Sequence, residues 1–213
     1  MGAWILSALA ARAAFGGGED LSSQTPSITP DPQHGMVLFL KRCAGCHGRH
    51  GWGDGPRAIP TLAGQRETYL IEQLKLFASG QRPGSSEHGP AMRQTVEQPD
   101  VDRAQAISDL SNYLAQAARN PQPEYGDGGA LDAAKRTYQR VCTTCHGDNG
   151  GGSEVRVPAI GGQHYRYLAS QLSSFVSARL SHPSGLDGLS AEDLQAVADY
   201  ASRLSYLSAA PRR

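Results

Sequence analysis

Neither sign of charge is in excess in this chain: 20 Lys and Arg stand against 20 Asp and Glu. There is no basic run and no basic face, which argues against a nucleic-acid binder. Aromatic residues are few, at 7%, and glycine is rich, at 25 residues. With an ordinary apolar content, this composition fits short helices joined by loops. No segment shows the alternation of a half-buried strand. No nucleotide loop and no catalytic triad is present. Cysteine is scarce as well. All four cysteines fall in two pentapeptides, so each has one role and no thiol is left over.

The pentapeptides are Cys43-Ala44-Gly45-Cys46-His47 and Cys142-Thr143-Thr144-Cys145-His146. Each reads Cys-x-x-Cys-His, the attachment signature of c-type haem. Cysteines three apart share one face of a helical turn, where two thiols can add to the vinyl groups along one porphyrin edge. The histidine that follows turns its imidazole toward the iron, and ligand identity, hydrogen bonding and burial then tune it. A single copy would leave open a zinc site, a redox dithiol in a βαβ setting or a pair of disulfides. Two copies, each followed by glycine and set in matching flanks, point to two haem c groups. Cys43, Cys46, Cys142 and Cys145 become the attachment points, with His47 and His146 as proximal ligands. The propionates would make the loaded protein acidic.

The flanks define an internal repeat. A helical pattern precedes each motif, Gly35 to Arg42 and Leu131 to Tyr138, with Phe39 matching Tyr138. Pro60-Thr61-Leu62-Ala63-Gly64-Gln65 matches Pro158-Ala159-Ile160-Gly161-Gly162-Gln163. Tyr69, Leu70, Gln73, Leu74 and Phe77 match Tyr167, Leu168, Gln171, Leu172 and Phe175, with the apolar members at helical spacing. Ile107, Leu110 and Leu114 match Val197, Tyr200 and Leu204 in a last helix, which in the second half starts at Ser190 before acidic residues. The expected organisation is all-α: a lead-in over 1–32, a domain over 33–120, a linker over 121–129 and a second domain over 130–213. In the lead-in, Trp4 to Ala10 resembles the apolar part of a secretory signal, with Ala11-Arg12-Ala13 as a cleavage site. An uncleaved N-terminal anchor and a plain leader are the alternatives. The run is short and small-residue-rich for a membrane span.

Over roughly residues 33–206 the chain resembles the dihaem cytochromes c of the cytochrome c4 type. The resemblance rests on the paired Cys-x-x-Cys-His-Gly motifs, on Pro-Thr-Leu-Ala-Gly-Gln with Pro-Ala-Ile-Gly-Gly-Gln, and on the Tyr-Leu-x-x-Gln-Leu-x-x-Phe helices. It implies two tandem class I cytochrome c domains and electron transfer in the bacterial periplasm. It also implies that the carbonyls of Pro60 and Pro158 accept from the ring N–H of His47 and His146, orienting each ligand.

In this family a methionine on the loop before the last helix usually takes the distal position. Met92 supplies it in the first half, with His88 as a weaker alternative, while Met36 is expected to pack. The second half has no methionine, and counting back from the last helix places His182 where Met92 falls. The expected axial set is therefore His47 with Met92 and His146 with His182. An open second iron, or His164 as ligand, remains as the alternative, although His164 at a helix start is expected to be exposed. Axial methionine raises a haem potential relative to histidine. A third of the ~0.8 V that ligation spans separates two haems by ~6 kcal/mol for one electron.

The functional expectation is a periplasmic single-electron carrier between a respiratory donor and an acceptor or oxidase. Its partners would be redox proteins: a membrane complex, an oxidase or a periplasmic dehydrogenase. A haem enzyme or sensor subunit with an open second iron is the competing class. Thiosulfate dehydrogenases of the dihaem type use a cysteine ligand at the active haem, and no cysteine is free here. Trp52 is expected to pack near the first haem, Arg57, Arg82 and Arg156 to lie in solvent or meet propionates, and His34 and His50 to lie at the surface.

Overall fold

In the computed structural model, residues 28–82, 88–153, 157–177, 180, 182 and 185–205 are described. The lead-in before residue 28, and Arg156, lie outside them. Among the described residues there is no strand, only an isolated bridge between Asp54 and Ile59. No described helix is long and apolar enough to cross a membrane.

The first half opens with α1 (Pro32–Arg42). Asp31 caps it, accepting from the N–H of Gln33 and His34, and Pro32 takes the first turn, where its missing N–H costs nothing. α2 (Ala44–His47), α3 (Glu67–Ala78), α4 (Gly89–Val96) and α5 (Ala104–Gln116) follow. α1 crosses α5 at Gly35, where an added Cβ would lie 2.1 Å from the Asp109 carbonyl oxygen, so only glycine permits this approach. The second half repeats the plan with α6 (Leu131–Val141), α7 (Thr143–His146), α8 (Tyr165–Val176) and α9 (Ala191–Arg203). Ser190 starts α9 with a capping box: its side chain accepts from the Asp193 N–H and the Asp193 carboxylate accepts from the Ser190 N–H.

Each half encloses its own core. Leu38, Phe39, Leu70, Val96, Val101, Leu110 and Leu114 form the first, with Phe77, Met92 and Cys43 packed against it. Tyr138, Leu168, Val197, Ala198 and Ala201 form the second, flanked by Cys142, Ile160, Leu172 and Tyr200. Phe39 and Tyr138, matched in the repeat, are both buried, and the Tyr138 hydroxyl donates to the Gly147 carbonyl at 2.8 Å. Met36 departs from expectation. It points outward, 41% exposed, because Gly35 is the α1 residue that meets α5.

A buried aspartate ties the entry of each half to its last helix. Asp109, 1% exposed, accepts from the Asp31 N–H at 2.7 Å, from the His34 ring at 2.7 Å and from the Gln105 side chain at 2.8 Å. Burial alone would raise its carboxyl pKa, but these bonds outweigh burial and hold it below the usual value. Asp199 holds its matching place on α9, accepting from the N–H of Gly126 and Gly128 and from Arg203. The segment expected as a linker is held to α9 at Gly126 and Gly128.

The halves meet through the repeated Gly-Gln turns. The Gln65 amide donates to the Ala159 carbonyl at 2.9 Å and accepts from the Ala159 N–H at 2.9 Å. The Gln163 amide donates to the Thr61 carbonyl at 2.9 Å and accepts from the Thr61 N–H at 2.8 Å. One residue on, Arg66 donates to the carbonyls of Gly151 and Gly152, and His164 reaches the Trp52 carbonyl at 2.7 Å. His164 also accepts from the Glu124 N–H at 3.0 Å. It is 4% exposed rather than solvated, because the surface it faces belongs to the other half.

Candidate functional site: two Cys-x-x-Cys-His turns

Each motif is a single helical turn added to the end of the preceding helix. In α2 the Cys43 carbonyl accepts from the N–H of both Cys46 and His47, at 3.2 and 3.0 Å, and in α7 the Cys142 carbonyl accepts likewise from Cys145 and His146. The first cysteine of each pair is half-buried and the second exposed, in both halves. Burial, followed by the neighbouring cysteine, pushes the Cys43 thiol up to about 12 and the Cys142 thiol up to about 11. A redox-active dithiol needs the opposite shift. Among the described residues no three His, Cys, Asp or Glu side chains converge as a metal cluster, so the two pairs do not share a zinc site.

The histidines are set by the loops that follow. His47 Nδ1 lies 3.2 Å from the Pro60 carbonyl, and His146 Nδ1 lies 3.1 Å from that of Pro158. A carbonyl only accepts, so Nδ1 carries the proton and Nε2 presents its lone pair. The carbonyls are brought close by Gly53 and Gly152, where a Cβ would lie within 2.6 Å of the Pro60 or Pro158 carbonyl oxygen. Burial lowers the pKa of both imidazoles, against the carbonyl bond, which raises it. Each ring is therefore held as a neutral donor of Nε2, the form that binds a metal.

On the distal side the two halves differ. Met92 packs against the first core, and it stands on α4 rather than on a loop. Pro90 in the first turn starts that helix. His88 Nε2 lies 3.1 Å from the Arg57 carbonyl. In the second half the His182 ring centre lies 6.4 Å from that of His146, with ring planes 19° apart, and 5.0 Å from that of Phe175. Two imidazoles on opposite sides of one metal ion have centroids about 6.2 Å apart, from metal–nitrogen bonds of about 2.0 Å and about 1.1 Å within each ring. The His146–His182 ring spacing is close to that value.

Arg82, expected to lie in solvent or to meet a propionate, is buried. It is 8% exposed between the halves, donating to Gln73, to Gln171 at 2.9 Å and to the Tyr167 hydroxyl at 3.2 Å, with Phe77 5.0 Å beneath its guanidinium. Tyr69 lies beside it, its hydroxyl pushed up to about 12 by burial and then by Tyr167. Among the described residues no carboxylate pairs with Arg82, and its Nε is buried without a partner. A buried cation without a counter-ion is costly, and a haem propionate is the anion such a site fits. Trp52 donates its indole N–H to the Ala118 carbonyl at 2.8 Å and lies against His50. The paired thiols, the oriented imidazoles and the buried Nε of Arg82 all fit covalently held haem.

Comparison with known proteins agrees. The family model described as Cytochrome c matches residues 32–118, and that described as Cytochrome C oxidase, cbb3-type, subunit III matches residues 129–200. Cytochrome c4 of Azotobacter vinelandii is 32% identical over 62% of this chain and 67% of its own. The thiosulfate dehydrogenase electron acceptor of Stutzerimonas stutzeri is 30% identical over 79% of this chain and 81% of its own. The crystal structure of reduced recombinant cytochrome c4 from Pseudomonas stutzeri superposes with a TM-score of 0.69 at 27% identity, covering 83% of this chain and all of that one. The chain belongs to the dihaem cytochromes c of the cytochrome c4 type, electron-transfer proteins with two class I domains and two covalently bound haem c groups.

Proposed function

We propose that this chain is a periplasmic electron carrier with chemically unequal halves. Cys43 and Cys46 hold the first haem and Cys142 and Cys145 the second. When bound, each haem supplies a one-electron couple. His47 and Met92 would hold the iron of the first half, and His146 and His182 that of the second. The carbonyls of Pro60 and Pro158 fix the tautomer of each proximal imidazole. Arg82 offers its unpartnered Nε to a propionate.

The observation that carries this reading is the 6.4 Å spacing of the His146 and His182 rings. Methionine against histidine as sixth ligand makes the first half the high-potential end and the second the low-potential end. A redox titration is expected to resolve two separate waves, and two overlapping waves would reject the asymmetry. Low-temperature electron paramagnetic resonance of His182→Ala and Met92→Ala tests the ligands one at a time. An unchanged second-haem signal in His182→Ala overturns that assignment.

The partner class follows from chemistry and kinship. A relative over most of this chain is named as the electron acceptor of a thiosulfate dehydrogenase, and another similar chain is an oxidase subunit. A periplasmic dehydrogenase as donor and a terminal oxidase as acceptor fit both ends of the potential step. Location in the periplasm rests on the apolar run from Trp4 to Ala10 and the small-residue site after it.

A further inference from the structure

The two halves exchange hydrogen bonds at one particular pair of peptide groups. The Pro60 carbonyl and the Thr61 N–H belong to a single planar amide. The carbonyl faces His47 Nδ1 at 3.2 Å, and the N–H donates to Gln163 of the other half at 2.8 Å. The second half mirrors this. The Pro158 carbonyl faces His146 Nδ1 at 3.1 Å, while the Ala159 N–H of the same amide donates to Gln65 at 2.9 Å. Gln65, Gln163, Thr61 and Ala159 are all less than 10% exposed, so water does not compete for these bonds.

An amide that donates through its N–H becomes a stronger acceptor at its oxygen, because resonance carries charge from nitrogen to oxygen. Chains of such bonds in a low-dielectric interior strengthen one another. The outer hydrogen bond on a ligating histidine in turn raises the basicity of the ligand. We propose that Gln163 tunes the haem of the first half and Gln65 that of the second, each acting across the domain boundary through one shared peptide unit. Both glutamines are positioning residues, since neither touches a haem ligand directly. Docking of the halves is thereby written into the potential of each centre.

The sign follows. Losing the Gln163 oxygen weakens the Pro60 carbonyl as acceptor, leaves His47 less basic and favours the reduced iron. In Gln163→Ala the first-half wave is expected to move to higher potential by about threefold in the oxidised-to-reduced ratio, with the second-half wave fixed. In Gln65→Ala the second-half wave moves instead. Gln163→Glu keeps an oxygen facing the Thr61 N–H, so its first-half wave stays at or below that of the parent protein. The experiment is a spectroelectrochemical titration of the three purified dihaem variants. Haem content is measured on the same samples, so that loss of a haem is separated from a shift in potential. The crossed pattern, with restoration by glutamate, supports the relay. Equal movement of both waves in either alanine variant reduces the glutamines to docking contacts and overturns it, as does no movement at all.

Discussion

At the scale of single residues, the buried acids Asp109 and Asp199 do the fixing that composition hides. Asp109 accepts three hydrogen bonds at 2.7 to 2.8 Å while 1% exposed. Its folded carboxyl sits below the ordinary value, so its stabilisation is complete above the unfolded value of about 3.9 and is lost as pH falls through the lower folded one. Asp109→Asn is expected to cost about 2 kcal/mol at neutral pH and to flatten the loss of stability on acidification. Urea titrations of the haem-loaded protein across the acid range measure both. The clue to these acids was in the repeat. Each stands at the matched position of a last helix, among residues of the buried face. An acid there reads as surface unless its backbone partners are known, and those partners, Asp31 in one half and Gly126 and Gly128 in the other, lie more than seventy residues away.

At the scale of elements, helix starts are local chemistry and were readable. Ser190 before Glu192 and Asp193 predicts the start of α9, and the structure closes a full capping box there. Ser190→Ala is expected to destabilise the protein by about 1 kcal/mol in urea titration, with both redox waves unmoved. The apolar faces of α3, α5, α8 and α9 were legible from spacing for the same reason: period and burial are properties of one segment. Met92 is instructive in the other direction. Family pattern suggests a loop, yet Gly89-Pro90 opens a helix there, and proline in a first turn is itself a start signal. Met36 is expected to pack, yet it lies on an exposed face of α1 with Val37 and Leu40. Gly35 decides the orientation instead, and a glycine carries no hydrophobic signal.

At the scale of the molecule, what the sequence hid was whatever one half does to the other. His164 at a helix start reads as exposed and Arg82 as solvated or propionate-paired, and both are buried between the halves. Arg82 stands between Tyr69 and Gln73 on one side and Tyr167 and Gln171 on the other, pairs that match in the repeat. Its own counterpart is Leu180: Arg82 N–H donates to the Leu76 carbonyl as Leu180 N–H does to that of Ser174. One cation therefore serves both halves. Arg82→Gln removes a positive charge that opposes oxidation of the iron. Both redox waves are expected to fall to lower potential, and an unchanged pair in a spectroelectrochemical titration would reject the assignment of Arg82 to a propionate.

The crossing of α1 and α5 at Gly35 also makes the cover of the first motif depend on residues far along the chain. A chain emerging from its amino end exposes α1 and the Cys43–Cys46 turn while α5 has yet to be made. Nothing then covers Leu38, Phe39 or the half-buried Cys43, and the second half repeats the situation with α6 and α9. Until α5 and α9 are in place, each pair of thiols lies on an uncovered helix end.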